Sequence, residues 1–154
     1  MSLMYFLIMR IKLLFLLLTA LPFFANAQSA EKVEWSTLMD ITFKDIYLEK
    51  DDIYVYYPLF GQAQNELDGK EIEITGYIIP IDVEANMYVL SAFPFSACFF
   101  CGNAGPESVM AINFKGNNRR FDTDERLTLQ GTLQLNSTDV DELVYVLNDA
   151  VAKN

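Results

Sequence analysis

The stretch from Glu71 to Ile81, EIEITGYIIPI, decides the fold of this chain. Its first half alternates acidic and apolar residues, so Ile72 and Ile74 face the same way, as in a half-buried β-strand. Gly76 interrupts the alternation, and the residues that follow it are apolar on both faces. A glycine inside a strand is typical of a bulge or a sharp bend, which a strand needs to curl around a small barrel.

Four further strands are predicted downstream, at Met87–Phe95, Glu107–Phe114, Leu127–Leu135 and Leu143–Leu147. The segment LTLQGTLQL at Leu127–Leu135 repeats the pattern of the first strand, with leucines on one face and Gly131 in the middle of that face. Five strands, two of them with a central glycine, predict a mainly β protein: a small five-stranded OB-like Greek-key barrel over residues 67–154. A β-meander or a sandwich is the alternative. Residues 28–66 are predicted to form an N-terminal extension that packs on the barrel.

Residues 1–27 have the features of a secretory signal peptide. Arg10 and Lys12 form a basic start, an apolar run from Leu13 to Leu21 follows, and Ala25-Asn26-Ala27 is a small-x-small cleavage site. The apolar run is shorter than the roughly 20 residues that span a bilayer, so no stable membrane span is expected after cleavage. The mature chain is therefore predicted to be periplasmic or secreted.

The composition excludes several classes of function. A net charge of −10 disfavours binding to nucleic acid or to anionic membrane surfaces, whereas a cation or a basic partner is electrostatically easier. The chain has no histidine, so it has no Ser-His or Cys-His catalytic pair and no histidine-based metal site. Since no nucleophile, base or cofactor motif is assembled, a binding or accessory role is predicted rather than catalysis, with no catalytic or cofactor-binding residue assigned.

The only two cysteines lie in Cys98-Phe99-Phe100-Cys101-Gly102, and three interpretations of the pair stay open. The first is a short local disulfide, as expected in an oxidising compartment. The second is a redox pair, although such pairs are activated by a helix N-terminus or a basic neighbour, and the nearest charge in sequence is Glu107. The third is half of a soft-metal site, because C-x-x-C spacing lets two sulfurs reach one ion.

The metal hypothesis needs more than two ligands. Zinc takes four, so the remainder would come from a carboxylate such as Glu107, from water, or from the same cysteine pair of a second chain in a two-fold homodimer. The predicted metal ligands are Cys98, Cys101 and Glu107, with zinc or another soft metal as the cofactor. If oxidised, Cys98 and Cys101 form the disulfide instead.

Two motifs resemble those of a known family. The segment from Leu67 to Pro80, LDGKEIEITGYIIP, resembles the L-G-K-x-V-x-I-x-G-Y-x-x-P signature of the DUF3299 family. The segment from Cys98 to Ser108 is similar to the branch whose loop is C-F-F-C-G-x-A-G-P-E-S. The resemblance implies an exported, OB-like small domain of uncharacterised biochemistry. It also implies an association of some relatives with metal uptake, although other branches carry a histidine near the loop that this chain lacks.

These observations predict an exported small binding or accessory domain, with metal association through the C-x-x-C loop as one hypothesis. The alternatives are an extracytoplasmic thiol–disulfide redox protein and a structural interaction module of an envelope complex, with a protein partner in the cell envelope. The predicted ligand side combines the loop Ala97–Ser108 with the strand end Tyr77–Pro80. Tyr54 and Tyr56 share one side of a strand, either as an aromatic ligand platform or, as we favour, packed on a neighbouring strand.

Overall fold

The computed structural model describes residues 29–50, 52–102, 104–116 and 120–153, so the predicted signal peptide lies outside the described residues. Two short α-helices and eight strands, together with three single-turn 3₁₀ helices, make up the regular structure of these ranges. In chain order the α-helices and strands are β1 (Glu31–Lys32), α1 (Trp35–Met39), β2 (Thr42–Leu48), β3 (Ile53–Leu59), α2 (Gln62–Leu67), β4 (Glu71–Asp82), β5 (Met87–Ser91), β6 (Val109–Phe114), β7 (Arg126–Leu135) and β8 (Tyr145–Lys153). In these ranges no helix is long and apolar enough to cross a membrane.

Five strands close into a barrel in the order β4-β5-β6-β8-β7, and β7 pairs back onto β4. Four of the pairings are antiparallel, and the pairing of β6 with β8 is parallel. The order is a Greek key, because the fourth barrel strand crosses over to lie beside the first. The predicted five-stranded OB-like barrel is therefore confirmed, and β1 adds to it beside β4.

The two mid-strand glycines lie where barrel strands approach each other most closely. A Cβ atom on Gly76 would stand 2.6 Å from the carbonyl oxygen of Ser91, and one on Gly131 would stand 2.6 Å from that of Asn148. The first seven residues of β4 pair with β7, and its second half pairs with β5, so the strand turns from one neighbour to the other near Gly76. Both positions therefore exclude any side chain.

The main core fills the barrel and extends to the two helices. Ile72 and Ile74 of β4 and Leu129 and Leu133 of β7 are fully buried, as the alternation predicts. Leu38 of α1 and Leu67 of α2 belong to the same cluster. Between β6 and β7 the described residues form no helix, so the helical contribution to the core comes from the segment that precedes the barrel.

Three strands differ from their predicted boundaries by more than one residue. β5 ends at Ser91, before Pro94, and β6 begins only at Val109, because Pro106–Ser108 forms a 3₁₀ turn. β8 runs from Tyr145 to Lys153 and not from Leu143 to Leu147. Its second half contains the polar residues Asn148 and Asp149, which interrupt the apolar pattern that predicts a strand. Pairing with β7 nevertheless keeps this half extended.

Strands β2 and β3 form an antiparallel hairpin with a sheet of its own. Tyr56 of β3 stacks on Phe43 of β2, with ring centroids 4.5 Å apart, and Tyr54 lies 5.0 Å from Tyr47. The two tyrosines therefore pack on the neighbouring strand, which is the interpretation favoured from the sequence. Tyr54 is nevertheless 75% exposed and Tyr56 60% exposed. β2 itself was not predicted.

Tyr145 links the barrel to α1 and gives a prediction about alkaline pH. Its hydroxyl donates a hydrogen bond to the carbonyl oxygen of Leu38 at 2.6 Å. Burial, and secondarily the charge of Glu107, raises the pKa of Tyr145 well above its ordinary value. The phenolate is therefore favoured only in the unfolded chain. The stability that the neutral phenol contributes is complete below the unfolded pKa, about 10, and is lost as pH rises above it.

We expect the unfolding free energy of the natural chain to fall by about 1 kcal/mol per pH unit above pH ~10 through this group alone. Tyr145→Phe should cost about 1 kcal/mol at pH ~8, the net value of one hydrogen bond, and the cost should shrink as pH rises. Urea denaturation of both proteins across that range measures it. A cost that does not change with pH would contradict the assignment.

Candidate functional site: the cysteine loop and the groove beside it

Residues 92–108 connect β5 to β6, and we refer to them as the cysteine loop. The loop contains three single-turn 3₁₀ helices, Phe95–Ala97, Phe99–Cys101 and Pro106–Ser108. The Phe95 amide donates to Asp124 Oδ1 at 2.7 Å, which ties the loop to the segment before β7, and the Ala92 amide donates to the Ser108 carbonyl oxygen at 2.9 Å, which joins its two ends. The turn that follows Cys101 ends at Gly102, whose φ of +73° favours glycine.

Cys98 fixes the loop to the outside of the barrel. Its side chain is fully buried in a second apolar cluster with Ile79 and Val89, and Leu143 packs against that cluster. Tyr88 and Leu90, the residues that alternate with Val89 along β5, belong to the interior core instead. The Cys98 cluster therefore lies on the outer face of β4 and β5, where a small apolar thiol fills a pocket.

Cys101 is exposed, and both cysteines are free thiols. The Cys101 thiol donates to the carbonyl oxygen of Phe95 at 2.9 Å. Partial desolvation is the main cause that raises the pKa of the Cys101 thiol, followed by electrostatic and hydrogen-bonding interaction with Cys98. The two cysteines belong to one turn, in which the Cys101 amide donates to the Cys98 carbonyl oxygen at 3.2 Å. Because the thiolate is the nucleophile and the metal ligand, this environment keeps Cys101 protonated and does not activate it.

Glu107, the third predicted ligand, is not grouped with the cysteine pair. Its carboxylate lies against Gly105, and its charge is felt by the buried phenol of Tyr145 on the α1 side of the barrel. Within the described ranges no group of three or more His, Cys, Asp or Glu side chains is placed to hold a metal ion. The structure thus brings Cys98 and Cys101 together without Glu107, and a metal at this pair would need ligands from elsewhere.

An open groove of about 570 Å³ lies on the same outer face of the barrel as the Cys98 cluster. β5 and β6 form its floor, Phe100 of the cysteine loop lies at one side, and the segment 140–143 lies at another. Several lining side chains are apolar and yet exposed, with exposed fractions of 45% to 60%: Ile81, Met87, Phe100 and Val140. Outward-facing apolar residues on a barrel strand are typical of an interaction surface.

Asn136 builds the second wall of the groove, a role that the sequence did not predict. Its side-chain amide is buried and donates to the carbonyl oxygens of Asp139, Glu142 and Leu143. Its side-chain oxygen accepts from the amides of Thr138 and Asp139. In sequence the residue stands out only as the asparagine of an N-x-S/T sequon, and a short-range signal of this kind does not reveal a loop organiser.

The contrast between the two thiols predicts different effects of the same substitution. Cys98→Ser places a hydroxyl among Ile79, Val89 and Leu143 and should destabilise the fold by about 1–3 kcal/mol. Cys101→Ser changes an exposed side chain and should change stability by less than about 0.5 kcal/mol. Urea denaturation under reducing conditions compares them. Equal losses would contradict the burial of Cys98.

Thiol reactivity provides an independent measurement. The rate of iodoacetamide labelling of Cys101 should rise with pH at a midpoint above that of a free thiol, since the pKa of Cys101 is raised. Cys98→Ala should shift that midpoint downward, because it removes the neighbouring thiol. A midpoint below that of a free thiol would instead indicate an activated, redox-type cysteine.

Comparison with known proteins agrees with this architecture. The family model described as "Protein of unknown function (DUF3299)" matches residues 27–152. A crystal structure of a DUF3299 family protein from Pseudomonas aeruginosa PAO1 aligns with a TM-score of 0.50 at 13% sequence identity, over 82% of this chain and 97% of that one. A likeness at this identity concerns the fold alone. No curated protein matches the sequence.

Proposed function

The chain belongs to the DUF3299 family, whose description assigns no reaction, and from the geometry of the site we propose that it is an exported accessory domain that binds a protein partner. The observation that carries this proposal is the exposed apolar groove between the cysteine loop and the segment 140–143. The barrel supplies a rigid floor, and two loops supply the walls. Binding residues commonly lie on loops that a rigid scaffold positions in this way.

Export is the second part of the proposal, and it rests on the basic, apolar and small-residue pattern of residues 1–27. Cell fractionation and N-terminal sequencing of the mature protein test it. We expect the protein in the extracytoplasmic fraction, beginning at Gln28. Recovery of the uncleaved chain in the cytoplasm would reject this part and leave the binding proposal to its own test.

Partner binding is testable by site-specific photo-crosslinking in the native host. A benzophenone amino acid at Met87, which is 53% exposed in the groove, should yield a discrete adduct with one partner protein. The same probe at Glu71, exposed on β4 where that strand pairs with β7, serves as the matched control and should not yield that adduct. Adding Val140→Asp to the Met87 probe should abolish the adduct. Identical adducts from both positions, or none from Met87, would overturn the proposal.

The cysteine pair supports a second candidate function, thiol–disulfide exchange outside the cytoplasm. The observation that favours it is an exposed thiol beside a buried one, which leaves one sulfur accessible to a partner. The raised pKa of the Cys101 thiol favours a stable disulfide over a reactive thiolate. Free-thiol counting before and after mild reduction gives the state of the pair. A potential far below about −300 mV would indicate an inert structural bond.

Metal association through Cys98 and Cys101 is the remaining form of the proposal. It requires ligands beyond the pair, such as a second copy of the chain or a bound partner, since the described residues group no third candidate ligand with the two cysteines. Elemental analysis of protein purified without reductant or chelator tests it. Zinc or copper at half an equivalent or more per chain, lost in a Cys98→Ser/Cys101→Ser variant, would support it. Only trace metal would remove it.

A further inference from the structure

We propose that the occupant of the groove is a cationic, apolar segment of a partner protein, with apolar side chains on the β5–β6 floor and lysine or arginine at the 140–143 wall. The inference rests on the proposed binding function and goes further by naming the chemistry of the partner. It follows from the apolar floor, the charge of the rim and the shape of the groove.

The floor is apolar where a soluble barrel normally presents polar side chains. Along β5, Tyr88 and Leu90 point into the core, and Met87 and Val89 face outward into the groove. On the neighbouring strand β6, Ala111 lies opposite Val89 and also lines the groove. Phe100 and Val140 then stand at two sides with about half of their surfaces in water. Covering these side chains removes apolar surface from water, which favours an apolar occupant.

The rim is acidic on one side. Asp141 and Glu142 line the groove, and no described lining residue is basic. Neither carboxylate forms an ion pair in the part of the chain that the structure describes; Glu142 accepts only the amide of Leu143, at 3.1 Å. By comparison, Glu84 just outside the groove pairs with Arg120 at 2.9 Å. Two carboxylates beside an apolar floor therefore complement a partner that carries positive charge.

The charge also argues against other occupants. A second copy of this chain would bring a second net charge of −10, and an anionic membrane would repel the same carboxylates. A small ligand would remain largely in water, since Met87, Phe100 and Val140 at the sides of the groove are 45% to 60% exposed, whereas small-molecule sites bury most of their ligand. A helix or an extended segment with alternate apolar and basic residues covers the whole groove.

The experiment is an unbiased selection. A random dodecapeptide library displayed on phage is selected against the natural mature chain and counter-selected against a Met87→Asp variant. Binders enriched in lysine or arginine together with leucine, isoleucine, valine or phenylalanine are the expected result. Enrichment of acidic or uncharged apolar peptides would overturn the charge inference, and recovery of no Met87-dependent binder would do the same.

Matched charge variants then distinguish a specific contact with the two rim carboxylates from a general effect of net charge. Asp141→Asn/Glu142→Gln should weaken the binding of the selected peptides about five-fold, as expected for the loss of two exposed charge pairs. Fluorescence anisotropy measures the affinity. Glu66→Gln/Glu71→Gln removes the same charge from exposed positions that do not line the groove, and it should weaken peptide binding by less than about two-fold. Equal losses in the two variants would overturn the inference. The Met87 crosslink in cells would still stand in that case, so failure here is distinguishable from failure of the proposed function.

Discussion

Replacing Gly131 with alanine should destabilise the protein by about 3 kcal/mol, because the barrel has no room for a side chain at this position. The added Cβ would lie 2.6 Å from the Asn148 carbonyl oxygen, 3.0 Å from Leu147 Cγ and 3.2 Å from the Ala150 Cα. Two of these three atoms belong to the backbone of β8 and cannot move aside without breaking the pairing of β7 with β8. Urea denaturation, with the mid-point and slope fitted together, measures the loss.

Gly69→Ala is the matched control for this prediction. Gly69 also has no side chain, but a Cβ there would meet nothing within 4 Å, and its cost comes from a φ of +73°. That strain is worth about 1–2 kcal/mol in an L-residue. The Gly131 variant should therefore be the more damaging of the two, although Gly131 lies in extended backbone. A smaller loss at Gly131 than at Gly69 would contradict the close approach of β7 to β8.

The barrel was predictable because its information is local. Alternating apolar residues in β4 and β7 assign their buried faces, and the glycine in each strand marks the place where another strand crosses close by. Both signals arise within about ten residues of sequence. The second helix, α2, could not be predicted in the same way, since its buried Gln64 donates to the Asp40 carbonyl oxygen at 3.2 Å, a contact across 24 residues.

The bounds of β8 and the existence of β2 depend on pairing with neighbouring strands. β8 was predicted too short because Asn148 and Asp149 interrupt its apolar pattern, yet pairing with β7 continues to Lys153. β2 was missed because its residues, TFKDIYL, show no clear alternation, and the strand is defined by a register with β3 in which Phe43 lies opposite Pro58. Stabilisation that comes from a neighbouring strand leaves little trace in a single segment.

The candidate site, too, was predictable from the sequence only in part. The sequence singled out Cys98 and Cys101, and the structure brings them together, but spacing alone does not distinguish a buried anchor from an exposed thiol. That difference depends on Ile79, Val89 and Leu143, which come from three separate segments. The groove was not predicted, because its floor consists of outward residues of two strands and its wall comes from a loop beyond both.

The two walls of the groove are also connected to each other. Leu143 belongs to the segment 140–143 that lines the groove, and it packs against the cluster that holds Cys98 of the cysteine loop. A change that releases either loop should therefore disturb the other wall through this contact. The most direct test of this connection is a substitution of Asn136, because its buried side-chain amide holds the segment in place.

Asn136→Ala should cost about 3 kcal/mol and abolish partner binding in the groove. The substitution removes a buried side chain that makes five hydrogen bonds to the backbone of residues 138–143 and leaves the Asp139 carbonyl, bonded at 2.7 Å, without that donor. Because buried polar groups that lose their partners cost about 1–3 kcal/mol, the segment should detach locally before the barrel unfolds.

Urea denaturation, amide exchange in residues 138–143 and the crosslink from Met87 measure the three consequences of Asn136→Ala. Asn136→Asp keeps the acceptor oxygen but directs a second acceptor at three backbone carbonyl oxygens, so its loss of stability should be at least as large. Thr138→Ala is the control: its side chain is exposed, its amide still donates to Asn136 Oδ1 at 3.2 Å, and it should bind as the natural chain does. Unchanged amide exchange in Asn136→Ala would contradict the role of this amide. A retained crosslink would show that the partner does not need the 140–143 wall, because the barrel floor alone would then hold it.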